Sequence, residues 1–166
     1  RFRYNFDGFL ISDGDETGLS CGYVQIFRNG IIEAVDAWRL RSHDTKPDII
    51  PSEVFERELI KAIGNYLEAQ KQMIVPPPVS IMISLLGVSG YIMAVNQRVD
   101  IWGRNRHPID RDTLLLPEII LENYPSGTPE IARTLKPTFD AVWNATGWPG
   151  SYNYDDQGEW GNGPNC

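Results

Sequence analysis

Cysteine is scarce in this chain: Cys21 and Cys166 are its only two, 145 positions apart. No disulfide framework is expected from such a pair, and two thiols alone cannot complete a zinc site. The composition suits a reducing, cytoplasmic compartment. Long apolar runs are missing as well. None reaches the about 18 residues that a membrane-spanning helix needs, and no signal peptide is recognisable. Positive charge is in deficit, with 15 Lys and Arg against 22 Asp and Glu and a net charge of -7. That opposes general affinity for a phosphate backbone, which needs clustered Lys and Arg, although a local basic patch stays open. No internal repeat is visible. The first residue is not Met, and the opening RFRYNFDGFL already reads as a strand. A piece of a longer protein is therefore expected, so that an activity can belong to another part.

What is present is ordinary for a folded domain. The 166 residues suit one α+β domain over 1–147 and an aromatic, Gly/Asn-rich tail over 148–166. A domain of this size buries roughly 70% of the surface that its unfolded chain exposes, so it needs no metal or disulfide to hold it. Five Trp, seven Tyr and six Phe supply large core or interface groups.

Residues 4–11 (YNFDGFLI) predict a strand and 12–18 a polar turn. Asn29-Gly30, between apolar β-formers over 19–38, predicts a hairpin closed by a type I′ turn with positive φ at both central residues. After a loop at 41–48, Ser52 is the expected cap of a helix reaching about residue 72. Val54, Phe55, Leu59, Ile63, Tyr66 and Leu67 form its apolar stripe, and Pro76, Pro77 and Pro78 forbid its continuation. VSIMISLL (79–86) predicts a central strand buried on both faces. GVSG (87–90) turns or bulges it, and YIMAV (91–95) continues. TLLLPEIILENY (113–124) is a strand that Pro117 confines to an edge or a bulge. Thr128 is the expected cap of a second helix, with Pro129 at its first position, Pro137 kinking or splitting it, and Gly147 supplying the left-handed turn at its end. Hairpins plus two principal helices give an α+β fold with a mainly antiparallel sheet of about five to six strands.

The densest chemistry lies in WGRNRHPIDRDTLLLPE (102–118). From 98 to 112 the arginines at 98, 104, 106 and 111 face three aspartates at 100, 110 and 112, so the charges nearly cancel. A loop whose charges pair with one another is the preferred reading. A binding surface would use Trp102, Arg104, Arg106, His107, Asp110 and Arg111. A catalytic reading would use His107 as acid or base, oriented by Asp110 or Asp112, but no Ser or Cys stands in a nucleophile setting. His43-Asp44 and His107 to Asp110 offer two ligands each, with no ligand-spaced motif, so no metal and no cofactor are expected. Cys21 reads as a small half-buried residue. GVSG has too few glycines, and no following Lys, for a phosphate loop. Trp148, Tyr152, Tyr154 and Trp160 are spaced by loop residues. Aromatics of that kind can stack on nucleobases, but the acidic Asp155, Asp156 and Glu159 favour a cap over the core or an interface anchor.

RYNFDGFL (3–10), GYVQIFRNGIIEAVD (22–36), HPIDRDTLLLPE (107–118) and FDAVWNATGWPGSYNYDDQGEW (139–160) together resemble the C-terminal region of bacterial proteins whose N-terminal part is a Schlafen/AlbA-like DNA-binding domain. The likeness implies that nucleic-acid chemistry belongs to the N-terminal AlbA-like domain. It assigns no catalytic residue to this region.

The preferred functional expectation is a non-catalytic regulatory or interaction domain of a bacterial cytoplasmic protein, acting in regulation or phage defence. Its partners would be the AlbA-like domain of the parent chain or a second copy, and not a membrane. The alternatives are a nucleic-acid-contacting module using Arg98, Arg104, Arg106, Arg111 and the tail aromatics, and a hydrolase centred on His107, Asp110 and Asp112.

Overall fold

The computed structural model describes residues 1–13, 21–37, 40, 48–96, 99–100 and 107–166. The expected turn at 12–18 and loop at 41–48 fall mostly outside them. The fold is α+β and mainly antiparallel. The chain groups into two compact units, Arg1–Arg41 with Tyr66–Val75, and Ser42–Asn65 with Pro76–Cys166. That grouping does not follow the expected 147/148 line; the tail belongs to the second unit.

The first unit holds an antiparallel meander of β1 (Phe2–Tyr4), β2 (Gly8–Ser12), β3 (Gly22–Phe27) and β4 (Ile32–Asp36), in that order. The single strand expected over 4–11 is in fact a turn followed by β2. Asn5 makes that turn: its backbone N–H donates to Gly8 O at 3.0 Å, and its Oδ1 accepts from Gly8 N at 2.7 Å. Gly8 is required there, because a Cβ would stand 2.1 Å from Ile26 O across the ladder.

The 29–30 hairpin forms, but not as a type I′ turn. Gly30 takes φ +86 while Asn29 keeps a negative φ. Gly30 N donates to Phe27 O and Phe27 N to Ile31 O, so the turn is of type I with glycine in the left-handed position after it. Asn29 instead uses its Oδ1 to accept from Ile31 N at 3.2 Å.

The remaining strands are short and paired in twos. β5 (Ile49–Pro51) runs parallel to β8 (Ile92–Ala94), β6 (Val79–Ile81) antiparallel to β10 (Ile119–Leu121), and β7 (Ser84–Leu86) antiparallel to β9 (Thr113–Leu115). VSIMISLL is therefore two strands, and not a strand buried on both faces. Val79, Ile81 and Leu85 are buried, while Met82 and Leu86 are exposed. Its partner is interrupted at 116–118, around Pro117, which cannot donate to a ladder.

Helix α1 (Ser52–Gln72) ends near its predicted limit. Ser52 does not cap it: its hydroxyl donates to Ala94 O at 2.7 Å and accepts from Asn165 Nδ2 at 3.1 Å. Val54 is exposed, and the fully buried face is Ser52, Phe55, Glu56, Ile60 and Leu67. In the first unit the end of α1 is fastened to the β3–β4 turn, where Gln70 Nε2 donates to Gly30 O at 2.9 Å.

Helix α2 (Thr128–Ala145) runs unbroken through Pro137. Its cap is Gly127 rather than Thr128, and no side chain caps it. Glu130 instead accepts from the N–H and hydroxyl of Ser126, at 2.7 and 2.8 Å. Gly147 takes φ +85 and Trp148 N donates back to Trp143 O at 3.0 Å, the expected left-handed stop. Ile131, Leu135, Phe139, Val142 and Trp143 form the buried stripe of α2, each worth about 1.5–3 kcal/mol when taken out of water.

The left-handed stop of α1 is made by Ile74, at φ 59, with Val75 N donating to Gln70 O at 3.0 Å. A β-branched residue there is strained by about 1–2 kcal/mol, and its side chain is exposed, so no burial offsets the strain. Ile74→Gly is expected to raise unfolding stability by about 0.5–1 kcal/mol, the strain relief exceeding the added entropy of the unfolded chain. Urea denaturation checks this; an unchanged or lower midpoint would contradict it.

Candidate functional site

Of the residues expected to form a surface in the 98–112 stretch, Arg98, Trp102, Arg104 and Arg106 lie outside the described residues. The described part is tied down at Ile109, which is buried, donates to Tyr91 O and accepts from Gly90 N, both at 2.9 Å. His107, Asp110 and Arg111 flank it at the surface. Asp110 Oδ1 accepts from Arg111 Nε at 2.9 Å, and this guanidinium holds the Asp110 carboxyl below the usual range. Among the described residues no hydrogen bond joins His107 to Asp110 or Asp112. The imidazole lies instead over Gly147, where a Cβ would come within 2.6 Å of His107 Cδ2. The geometry gives His107 a packing partner, not an orienting carboxylate. Among the described residues no three or more His, Cys, Asp or Glu are grouped to hold a metal ion. Cys21 and Cys166 are free thiols.

The tail aromatics fold inward. Trp148 and Tyr154 are buried, and Tyr152 and Trp160 half-buried. Trp143, Trp148 and Tyr152 meet edge to face in a triangle, with ring centroids 5.6–6.1 Å apart. Tyr154 OH donates to Ala132 O on α2 at 2.7 Å, and Tyr154 pairs across a short bridge with Trp160.

At the centre of this layer is a residue whose charged type, rather than its position on the helix, suggests solvent. Glu56, on α1, is 0% exposed. Its Oε1 accepts from Trp143 Nε1 and from Ser151 Oγ, each at 2.7 Å, and its Oε2 accepts from Trp160 Nε1 at 2.8 Å. The buried Asn153 side chain also faces the carboxylate, yet its Nδ2 makes no bond of good geometry. Asn165 continues the network, donating to Asn153 Oδ1 at 2.6 Å and to Ser52 Oγ, and accepting from Asn96 N at 2.5 Å. Burial pushes the Glu56 carboxyl up from its ordinary value, and the donors Ser151, Asn153, Trp143 and Trp160 pull against that rise without cancelling it. The bonded donors are all neutral, and the site is sealed. The arrangement fastens the tail to α1 and α2; it does not present a carboxylate to a substrate. The sequence signal was phase: Glu56 stands four positions from Ser52 and four from Ile60, on the buried stripe.

A second feature lies in the first unit. The β1–β4 register puts Phe2, Ile11, Val24 and Ala34 in one row, and Tyr4, Phe9, Ile26 and Ile32 in the next on the same face. Phe9 sits against Tyr4 and Phe2, with centroids 5.1 and 6.0 Å apart. No residue in these two rows is charged, and none is buried. Phe2 and Tyr4 are 77% and 83% exposed. The other face carries Arg3 and Glu33, and also Gln25, the sheet's one buried side chain, bonded to Asn5 Nδ2 at 2.7 Å.

No family model matches the chain, and neither a curated protein nor a solved structure matches it significantly.

Glu56 generates a two-part expectation. Glu56→Gln puts an amide N–H against an indole or hydroxyl donor and is expected to cost about 1–3 kcal/mol at pH 5, with Glu56→Ala costing about 3 kcal/mol or more. Burial raises the folded carboxyl above its ordinary 4.5. The native state therefore holds the proton longer than the unfolded chain, and this group's contribution is full below 4.5 and declines as pH rises through the raised value. The stability gap between wild type and Glu56→Gln should narrow from pH 5 to pH 8 in thermal melts. A gap that widens would reverse the assignment.

Proposed function

We propose that this chain is a non-catalytic accessory domain that docks protein surface, and that it serves assembly or regulation of a larger bacterial cytoplasmic protein. The observation that carries this reading is a pair of uncharged apolar rows on one face of the β1–β4 sheet, bordered by Asp36, with Phe2 and Tyr4 mostly in water. Contiguous exposed apolar surface of this kind marks interaction sites. The turned-in tail supports it, because Trp148 and Tyr154 are spent on the core rather than offered to nucleobases. The net charge of -7 supports it too, by opposing a phosphate-backbone partner. So does the chemistry around Glu56, Ser151 and His107, which is occupied by internal contacts.

The resemblance to the C-terminal region of Schlafen/AlbA-like DNA-binding proteins extends the proposal. Nucleic-acid contact would then fall to the AlbA-like domain of the parent chain, and this region would position or multimerise it, in regulation or phage defence. Light scattering on this chain, alone and mixed with the AlbA-like part, is the test. Self-association or a mixed complex is the expected result. A chain that stays monomeric and binds no part of its parent would remove the reading.

A further inference from the structure

The pair Asn-Gly occurs twice in the chain, at 29–30 and at 162–163. It is chemically labile. The backbone nitrogen of the glycine can attack Cγ of the asparagine and close a succinimide ring, and glycine has no side chain to obstruct the closure. We infer that Asn162 is a site of spontaneous deamidation whose isoaspartate product unfastens the end of the chain from α1 and β8, while the fold protects Asn29.

The reaction needs an asparagine amide free to turn onto the next nitrogen, and a glycine N–H that is not firmly donated elsewhere. Asn29 has neither. Its Oδ1 accepts from Ile31 N at 3.2 Å, and Gly30 N donates to Phe27 O at 3.0 Å. Gly30 O is held as well, by Gln70 Nε2. The β3–β4 turn has to open before Cγ can reach Gly30 N. Asn162 differs on both counts. Its side chain is exposed, and among the described residues it bonds to nothing. Gly163 N donates to Asn153 O, but at 3.3 Å, and the same carbonyl receives Gly161 N at 2.9 Å. Gly163 is therefore the weaker of two backbone donors on one oxygen, and its N–H is the more easily released. Both glycines are buried, so the difference lies in these bonds and not in the exposure of the nitrogen.

The step balances with water as its only co-reactant. The bond from Gly163 N to Asn162 Cγ forms and the Cγ–Nδ2 bond breaks. Nδ2 leaves as ammonia, carrying the proton that Gly163 N gives up. Water then opens the ring at either carbonyl, to aspartate or to isoaspartate. Nothing is oxidised or reduced.

Isoaspartate sends the backbone through Cβ and so lengthens it between 162 and 163. The fold has no slack there. A Cβ on Gly163 would stand 2.3 Å from Tyr152 O and 2.5 Å from Asn153 C. The displacement is passed on to Asn165, whose N donates to Tyr152 O and whose side chain joins Asn96 N, Ser52 Oγ and Asn153 Oδ1. Each of those bonds depends on the others being in place. The donors to Glu56 come from Trp143, Ser151 and Trp160, all before the altered link, and they keep their acceptor. The change frees the chain end and spares the centre of the network.

Peptide mapping by mass spectrometry, on the 166-residue chain kept folded at mildly alkaline pH and sampled over weeks, tests the site. Aspartate and isoaspartate are expected at 162 at least about 10-fold faster than at 29, where the turn must first open. In urea, where neither turn exists, the two pairs should react at comparable rates. Amide hydrogen exchange on the aged protein reads the consequence. Asn96 N and Asn165 N should exchange at least about 10-fold faster than in fresh protein, and the Trp143 indole N–H should not change. Asn162→Ala cannot form the ring and should keep slow exchange through the same ageing, which separates this site from general damage. Modification of the folded chain that is as fast at Asn29, or absent from Asn162, overturns the site. The same preference for Asn162 in urea overturns the fold as its cause. A modified Asn162 with unchanged exchange at Asn96 and Asn165 overturns the unfastening.

Discussion

A buried carboxylate that, among the described residues, has no cation bonded to it organises the second unit. Glu56 receives hydrogen bonds from Trp143 on α2 and from Ser151 and Trp160 in the segment that follows α2. Removing an ionisable group from water is costly unless it is neutralised or well bonded. Here that cost is met by donors that themselves need an acceptor, for a buried indole N–H without one is also penalised. The three donors come from positions 143, 151 and 160, so the carboxylate specifies how a stretch with no helical or strand period must fold. An apolar side chain at 56 would fill the space but would leave the two indoles and the hydroxyl to choose other partners.

The specification spreads by a chain of amides. Asn153 shares its Oδ1 with Asn165, and Asn165 reaches Ser52 at the start of α1 and Asn96 just beyond β8. Ser52 in turn donates to Ala94 on β8. The last residues of the chain are thus held by the same α1 turn that carries Glu56. Two groups stay unsatisfied inside this layer, Asn153 Nδ2 and Trp148 Nε1. Networks of this type are sensitive to each member because the low local dielectric strengthens bonds made and penalises those missing. That sensitivity explains why Asn, Gly and aromatic residues, ordinarily the mark of a loose tail, form an ordered layer here.

The sequence carried the helices well and the strands poorly, for different reasons. A 3.6-residue stripe over twenty residues averages out single exceptions, so α1 and α2 are legible even though Ser52 and Thr128 do not cap them and Pro137 does not break α2. Strands of three residues give no period to average. YNFDGFLI reads as one strand until Asn5 is seen bonding Gly8, and VSIMISLL reads as one because apolar residues at Met82 and Leu86 face water. Glu56 was concealed by chemistry rather than by pattern: a glutamate in a helix is ordinarily solvated, and only its phase with Ser52 and Ile60 marks it. The apolar sheet face lay half in view. Alternation within each of β1 to β4 is readable, but the faces align only once the register is known, since a slip by one residue would move every side chain to the other side.

The register also shows that neither face of the first unit's sheet is buried apart from Gln25. An antiparallel sheet with one solvated side is expected to turn its polar face outward and bury its apolar one. In β1–β4 the one buried side chain is Gln25, on the face that also carries the exposed Arg3 and Glu33, while the two uncharged rows opposite are exposed or half-buried. The polar side cannot simply exchange places with the other, because Gln25 is bonded to Asn5, and Asn5 makes the turn into β2. The end of α1 holds the β3–β4 turn through Gln70 and Gly30. Both turns at this end of the sheet are thus held by side-chain bonds.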